Sequence, residues 1–252
     1  MTGGESGGEL ASVSTVYVES WTAIVLDDVD GTPQRLGARA EEDAIPAALR
    51  RRLGPYARMA VSCGLGVSSA DADIVFCSRY GDVHLAYRLL ADLVEGGLLS
   101  PAGFSLSVHN AVPGVMDLAR KSRVGHTAVA AGTESLSAGL CEAWGKLSEQ
   151  PETKVTVLYA EYALPEIYRD FSASSTEGIA LALSLSARRP AHFHGCLKLE
   201  RGAEVAASLH APDSEILARA LVGRLDENDS RKLHWQSRGL CWSYSAGSDA
   251  AS

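Results

Sequence analysis

Hydrophobic and polar positions switch between two periods along the chain, and the switches outline its elements. Residues 15–26 (TVYVESWTAIVL) predict a strand, and 73–77 (DIVFC) and 154–159 (KVTVLY) predict short buried ones. Residues 83–94 predict a helix, because Leu85, Leu89 and Leu93 recur four apart with Ala86, Leu90 and Val94 beside them. Residues 45–53 read as a short helix with a basic side, 104–108 as an extended segment and 111–120 as a helix. The apolar run 126–131 (HTAVAA) predicts a buried strand. Residues 134–147 follow as a strong helix with Leu136, Leu140, Ala143, Trp144 and Leu147 on one face. In 179–186, Ile179, Leu181, Leu183 and Leu185 alternate with Ala and Ser, which predicts a half-buried strand. Residues 193–199 alternate likewise, and 212–225 form a last helix.

Strands that alternate with helices imply an α/β layered fold. The two successive strand patterns near 178–200 imply an antiparallel pair and so a mixed sheet flanked by helices. The Gly/Ser-rich residues 1–14 and the tail 245–252 are expected to be disordered, leaving one domain over 15–244. A chain of 252 residues, 46% hydrophobic, can bury a proper core. The net charge of −8 argues against nucleic acid and anionic membranes as partners. The first residues lack the basic and apolar regions of a signal peptide, and no apolar run approaches the ~20 residues of a membrane helix. The five cysteines, Cys63, Cys77, Cys141, Cys196 and Cys241, are scattered without a C-x-x-C pair. That usage fits a cytoplasmic protein without disulfides.

The chemistry concentrates in 100–165. A buried strand, a sharp turn at Gly132-Thr133 and a helix make an elbow, and the elbow residue sits at a helix N-terminus where negative charge is favoured. A cysteine there would be an activated nucleophile. This sequence places Thr133 and Glu134 there, and both residue types also suit a plain helix cap. Cys141 falls near the apolar face of the elbow helix and reads as a buried thiol. His192, His194 and Cys196 share a strand face, which reads as a polar outer face rather than a metal site. Arg50-Arg51-Arg52 reads as a solvated basic face.

Ser100-Pro101, Phe104, Asn110, Gly114, the elbow, Glu142-Ala143 and TEGIALALSLS (176–186) come in the order and spacing of a known family. Over roughly 73–186 the chain resembles the ketosynthase branch of the thiolase superfamily. The resemblance implies a thiolase-like layered fold, of which only the N-terminal half is present. The family's nucleophilic cysteine falls on Thr133, and after Ser186 about 65 residues remain, too few for the half that carries two histidines and a lysine. The resemblance therefore implies no condensation activity by the chain alone and no cofactor or metal. It implies a chain-length-factor-like subunit of aryl polyene, type II polyketide or fatty-acid-type synthesis. Such a subunit pairs with a full-length ketosynthase and meets an acyl carrier protein through the complex. The matching tunnel or substrate-binding positions are His109, Asn110, Val115, Met116 and Asp117, and the strand at 126–131 would supply the dimer edge. The alternative is a decarboxylase or acyltransferase on carrier-bound chains using Thr133 or Glu134.

Overall fold

The structure is a computed structural model that describes residues 15–26, 32–171, 178–201 and 209–247. The expected tail 1–14 and residues 248–252 lie outside the described residues. The chain opens with β1 (Val16–Leu26) and β2 (Gln34–Gly37), then the single turn α1 (Ala47–Arg50) and α2 (Pro55–Leu65). Next come β3 (Asp73–Cys77), α3 (Val83–Val94), α4 (Pro101–Ser107), α5 (Ala111–Arg120) and β4 (His126–Val129). The elbow leads into α6 (Ser135–Glu149), followed by β5 (Lys154–Tyr162), β6 (Gly178–Ser186) and β7 (Gly195–Arg201). The last elements are β8 (Leu209–His210), α7 (Ser214–Asp226), β9 (Leu233–Ser237) and β10 (Leu240–Ala246).

All ten strands join one mixed sheet in the order β4-β3-β5-β6-β1-β7-β10-β9-β8, with β2 paired to the second half of β1. β3 runs parallel to both β4 and β5, and β5, β6, β1, β7, β10 and β9 continue antiparallel. β6 and β7 do not pair as expected from their succession, because β1 lies between them and hydrogen-bonds to both. β4 closes one edge of the sheet, and its residues are half-buried or exposed rather than the buried strand that the apolar run 126–131 suggests.

Helices cover both faces. α6 and α7 pack on one, where Leu136, Leu140 and Leu221 meet Ile179, Leu181 and Leu183. α2 and α5 pack on the other, where Ala60, Val61 and Met116 meet Ala180 and Ala182. β6 is buried at every position, so its Leu/Ala alternation does not mark a half-buried strand. It marks large side chains toward α6 and α7 and small ones toward α2, whose backbone comes close to the sheet.

Four other expectations need correction. Of residues 104–108 only Val108 is extended: Ser100 accepts the N–H of Gly103 at 3.2 Å, Pro101 occupies the first turn, and residues 104–107 belong to α4. The helix expected at 45–53 shrinks to one turn, with Ile45 and Leu53 buried beside it. Ser245 and Ala246 continue β10 into the expected tail, paired to Cys196 and Gly195. Cys141 is exposed, one position around the helix from buried Leu140.

The α6–β3 contact is tight. A side chain on Gly139 would stand 2.6 Å from Cys77 Sγ and 3.0 Å from its Cβ. Gly139→Ala is expected to cost about 1–2 kcal/mol through overpacking. Cys77→Ala added to it should recover part of that loss in equilibrium unfolding, which separates the clash from a general effect on the helix.

Candidate functional site

The carboxyl ends of β3, β4 and β5 meet the N-termini of α6 and α7, the position where open α/β sheets gather their ligands. β4 ends at Val129, and Gly132 takes a φ of +62° that bends the chain into a 3-10 turn, Gly132–Glu134, ahead of α6. Neither Thr133 nor Glu134 caps the helix through its side chain. Ser135 stabilises the turn instead: its hydroxyl accepts the Ala131 N–H at 3.0 Å and donates to the Gly132 carbonyl at 2.7 Å.

The elbow is fastened from the C-terminal part of the chain. Ser214, at the start of α7, donates to the Thr133 carbonyl at 2.7 Å and accepts the Leu136 N–H at 2.9 Å. Ser237, at the end of β9, donates to the Glu134 carboxylate. The Thr133 side chain is exposed and makes no hydrogen bond among the described residues. A threonine hydroxyl needs an adjacent base to become a nucleophile, and none touches this one.

A polar chain runs from beneath the elbow. The Glu161 carboxylate accepts from Ser78 Oγ at 3.1 Å and from the Arg79 N–H, and Tyr56 donates to Ser78 Oγ at 3.0 Å. Arg79 pairs in turn with Asp213, the cap of α7, at 3.8 Å. Desolvation pushes the Glu161 carboxyl up to about 7, against the hydrogen bonds from Arg79 and Ser78 that hold it down. Burial likewise pushes the Cys77 thiol up, so it is inert as a nucleophile. Pattern reading misses Glu161, because its partners are 82 and 83 residues away.

The five positions expected to line a tunnel separate by environment. His109 lies half-buried against Phe76, with ring centroids 5.5 Å apart, and desolvation lowers its pKa. Asn110 is exposed at the start of α5. Val115 and Met116 are buried, and Met116 fills the space over Gly64 and Leu158. Asp117 binds Arg120 at 2.7 Å and His126 at 2.7 Å, fixing α5 to β4.

Among the described residues no cluster of His, Cys, Asp and Glu could hold a metal ion, the His192, His194 and Cys196 set included. Cys196 Sγ instead contacts Ser245 Oγ at 3.2 Å. No described helix is long and apolar enough to cross a membrane.

A mixed sheet between two helical layers, with an elbow at the carboxyl ends of its parallel strands, defines a thiolase-like ketosynthase fold. The chain belongs to the family described as "Beta-ketoacyl synthase, N-terminal domain", whose model matches residues 29–245. Similar solved structures include a chain of the ketosynthase ApeO in complex with its chain length factor ApeC from Xenorhabdus doucetiae. That match has 22% identity and a TM-score of 0.69 and covers 92% of this chain and 99% of that one. A chain of the ishigamide ketosynthase/chain length factor matches at 14% identity and TM-score 0.62, again covering 92% and 99%. A chain of AntDE:AntF, a type II acyl-carrier protein in complex with its ketosynthase, matches at 11% identity and TM-score 0.61, covering 93% and 99%. A search of curated protein sequences finds no match.

Proposed function

We propose that this chain is a chain-length-factor-like subunit that lacks condensing activity of its own and pairs with a full-length β-ketoacyl synthase. In that complex it shapes the acyl tunnel of a polyketide, aryl polyene or fatty-acid-type synthase. The observation that carries the reading is an open sheet edge continuous with uncovered apolar helices. Among the described residues β4 has no outer neighbour. α3 and α4, which reach β4 through α5, contain no buried residue. Leu90, Leu93 and Phe104 stand exposed there, with Val94 87% and Leu98 100% accessible. Single exposed apolar residues are ordinary, but a contiguous set beside an unpaired strand marks an interface. The similar structures from ketosynthase–chain length factor complexes support the same reading.

In the proposed complex the start of α5 faces the tunnel. His109 and Asn110 lie nearest its open end, Val115 and Met116 set its depth from behind, and Asp117 holds it to β4. The domain reaches from residue 15 to the end of β10, the complex works in the cytoplasm, and an acyl carrier protein delivers chains to it.

Co-expression with a full-length ketosynthase encoded nearby, followed by native mass spectrometry, tests the proposal. A one-to-one complex is expected, and a monodisperse lone monomer that ignores the ketosynthase would sink it. The alternative, carrier-dependent decarboxylation or acyl transfer, needs Thr133 or Glu134. Thr133→Ala and Glu134→Ala are expected to leave turnover by the complex within about twofold, since the Thr133 hydroxyl has no base and the Glu134 carboxylate is engaged by Ser237. Loss of turnover in either variant would restore the alternative.

A further inference from the structure

On the α2 side of the sheet, the first turns of α2 and α3 and the loop after β5 enclose a cavity of about 470 Å³. Rings dominate its walls: Tyr56, Tyr87, Tyr162 and His84, with Pro55 and Pro165 between them. Asp82 stands in this lining and is only 9% exposed. Its Oδ1 accepts the Leu85 N–H at 3.0 Å and caps α3. Its Oδ2 makes no hydrogen bond among the described residues and lies 3.5 Å from where Gly54, also in the lining, would carry a side chain. Burial raises the Asp82 carboxyl above its usual range, and the Leu85 N–H, Arg88 and His84 offset this only in part.

We propose that this cavity binds a small organic cation, an alkylammonium or quaternary ammonium group on a short apolar stem. Aromatic faces carry negative potential and attract such a group, which is also weakly enough hydrated to leave water. The open oxygen of Asp82 supplies the counter-charge, and a bound cation relieves the desolvation of that carboxylate. A neutral ligand of the same shape gains the apolar contact but leaves the carboxylate unpaired. An anion meets both the ring faces and Asp82 with the wrong sign.

The other charged groups around the cavity fix the expected response. His84 donates from Nε2 to the Ala163 carbonyl at 2.7 Å, which holds its ring as part of the wall. Glu166 is engaged by Arg169. Arg88, exposed in the same lining, is the charge that opposes a cation.

Isothermal titration of the full chain with choline, with its uncharged isostere 3,3-dimethylbutanol and with butyrate tests the proposal. Choline is expected to bind at least about tenfold more tightly than the isostere, and butyrate not to bind. Asp82→Asn keeps an acceptor for the α3 cap and should weaken choline binding about tenfold or more. Arg88→Gln should strengthen it. Binding should weaken as the pH falls and Asp82 takes up its proton. Equal binding of choline and the isostere, an unaffected Asp82→Asn variant with native circular dichroism, or weaker choline binding by Arg88→Gln overturns the assignment. Absence of choline binding to the wild-type chain overturns it as well.

Discussion

Replacing Ala128 by proline is expected to leave the chain folded and to weaken its assembly with a ketosynthase at least about tenfold. The Val129 carbonyl accepts the N–H of Ser78, the residue that follows β3, at 3.2 Å. The period of two along a strand then turns the N–H and C=O of Ala128 outward, away from β3. Proline at 128 removes a donor that no described strand uses, and its ring faces the open edge, where a sheet tolerates it. A partner strand added at that edge would lose a ladder hydrogen bond and meet the ring. The expected result is a melting temperature within a few degrees of wild type and a dissociation constant raised at least about tenfold. Ala128→Val, which keeps the N–H, should assemble normally. The lone wild-type chain is expected to self-associate through the same edge, so Ala128→Pro should run as the smaller species in size-exclusion chromatography. Undiminished assembly by the proline variant would show that the partner sits elsewhere.

The elements legible in the sequence are those whose two faces differ in polarity. α3, α6 and α7 carry a stripe, and β3 and β5 are short apolar runs bounded by polar residues. α2 stayed hidden because it has almost no polar face: eight of its eleven residues are buried between α5 and the sheet. Gly54-Pro55 before it is a helix-start signal that could have found it. Pattern reading passes over the β9–β10 hairpin as well, although its turn carries a glycine. Arg238 and Gly239 both take positive φ, at 50° and 77°, in a two-residue turn between alternating segments. No local pattern reports strand order, and so β1 between β6 and β7 could not be read.

The site divides the same way. The elbow follows from a strand, a glycine and a helix in succession, all local. What holds it does not: Ser214 and Ser237 reach Thr133 and Glu134 from 81 and 103 residues away. Met116 shows how a position and its role come apart. Its place on α5 is legible, yet only the packing shows that it is fully buried over Gly64. Any influence on a tunnel would therefore pass through the position of α5.

Glu161 should give the chain a stability that falls as pH rises toward neutrality. Its carboxyl titrates at about 7 in the folded protein, whereas in the unfolded chain it takes the ordinary glutamate value near 4.5. The folded state thus holds the proton more tightly, and stability from this group is complete below about pH 4.5. It declines as the pH rises from there to about 7 and is constant above, where both states are ionised. Each unit of difference corresponds to about 1.4 kcal/mol, so the group accounts for roughly 3 kcal/mol across the window. Glu161→Gln keeps an oxygen for the Ser78 hydroxyl and the Arg79 N–H but cannot ionise. Wild type and variant should therefore unfold alike near pH 4.5, and the variant should be more stable by about 3 kcal/mol at pH 8. Asp82, also raised by burial, contributes a slope of the same sign that both proteins share. Urea unfolding at half-unit steps between pH 4.5 and 8.5 measures the difference. Parallel curves for the two proteins would mean that water or Arg79 solvates the Glu161 carboxylate well enough to cancel the cost of its burial.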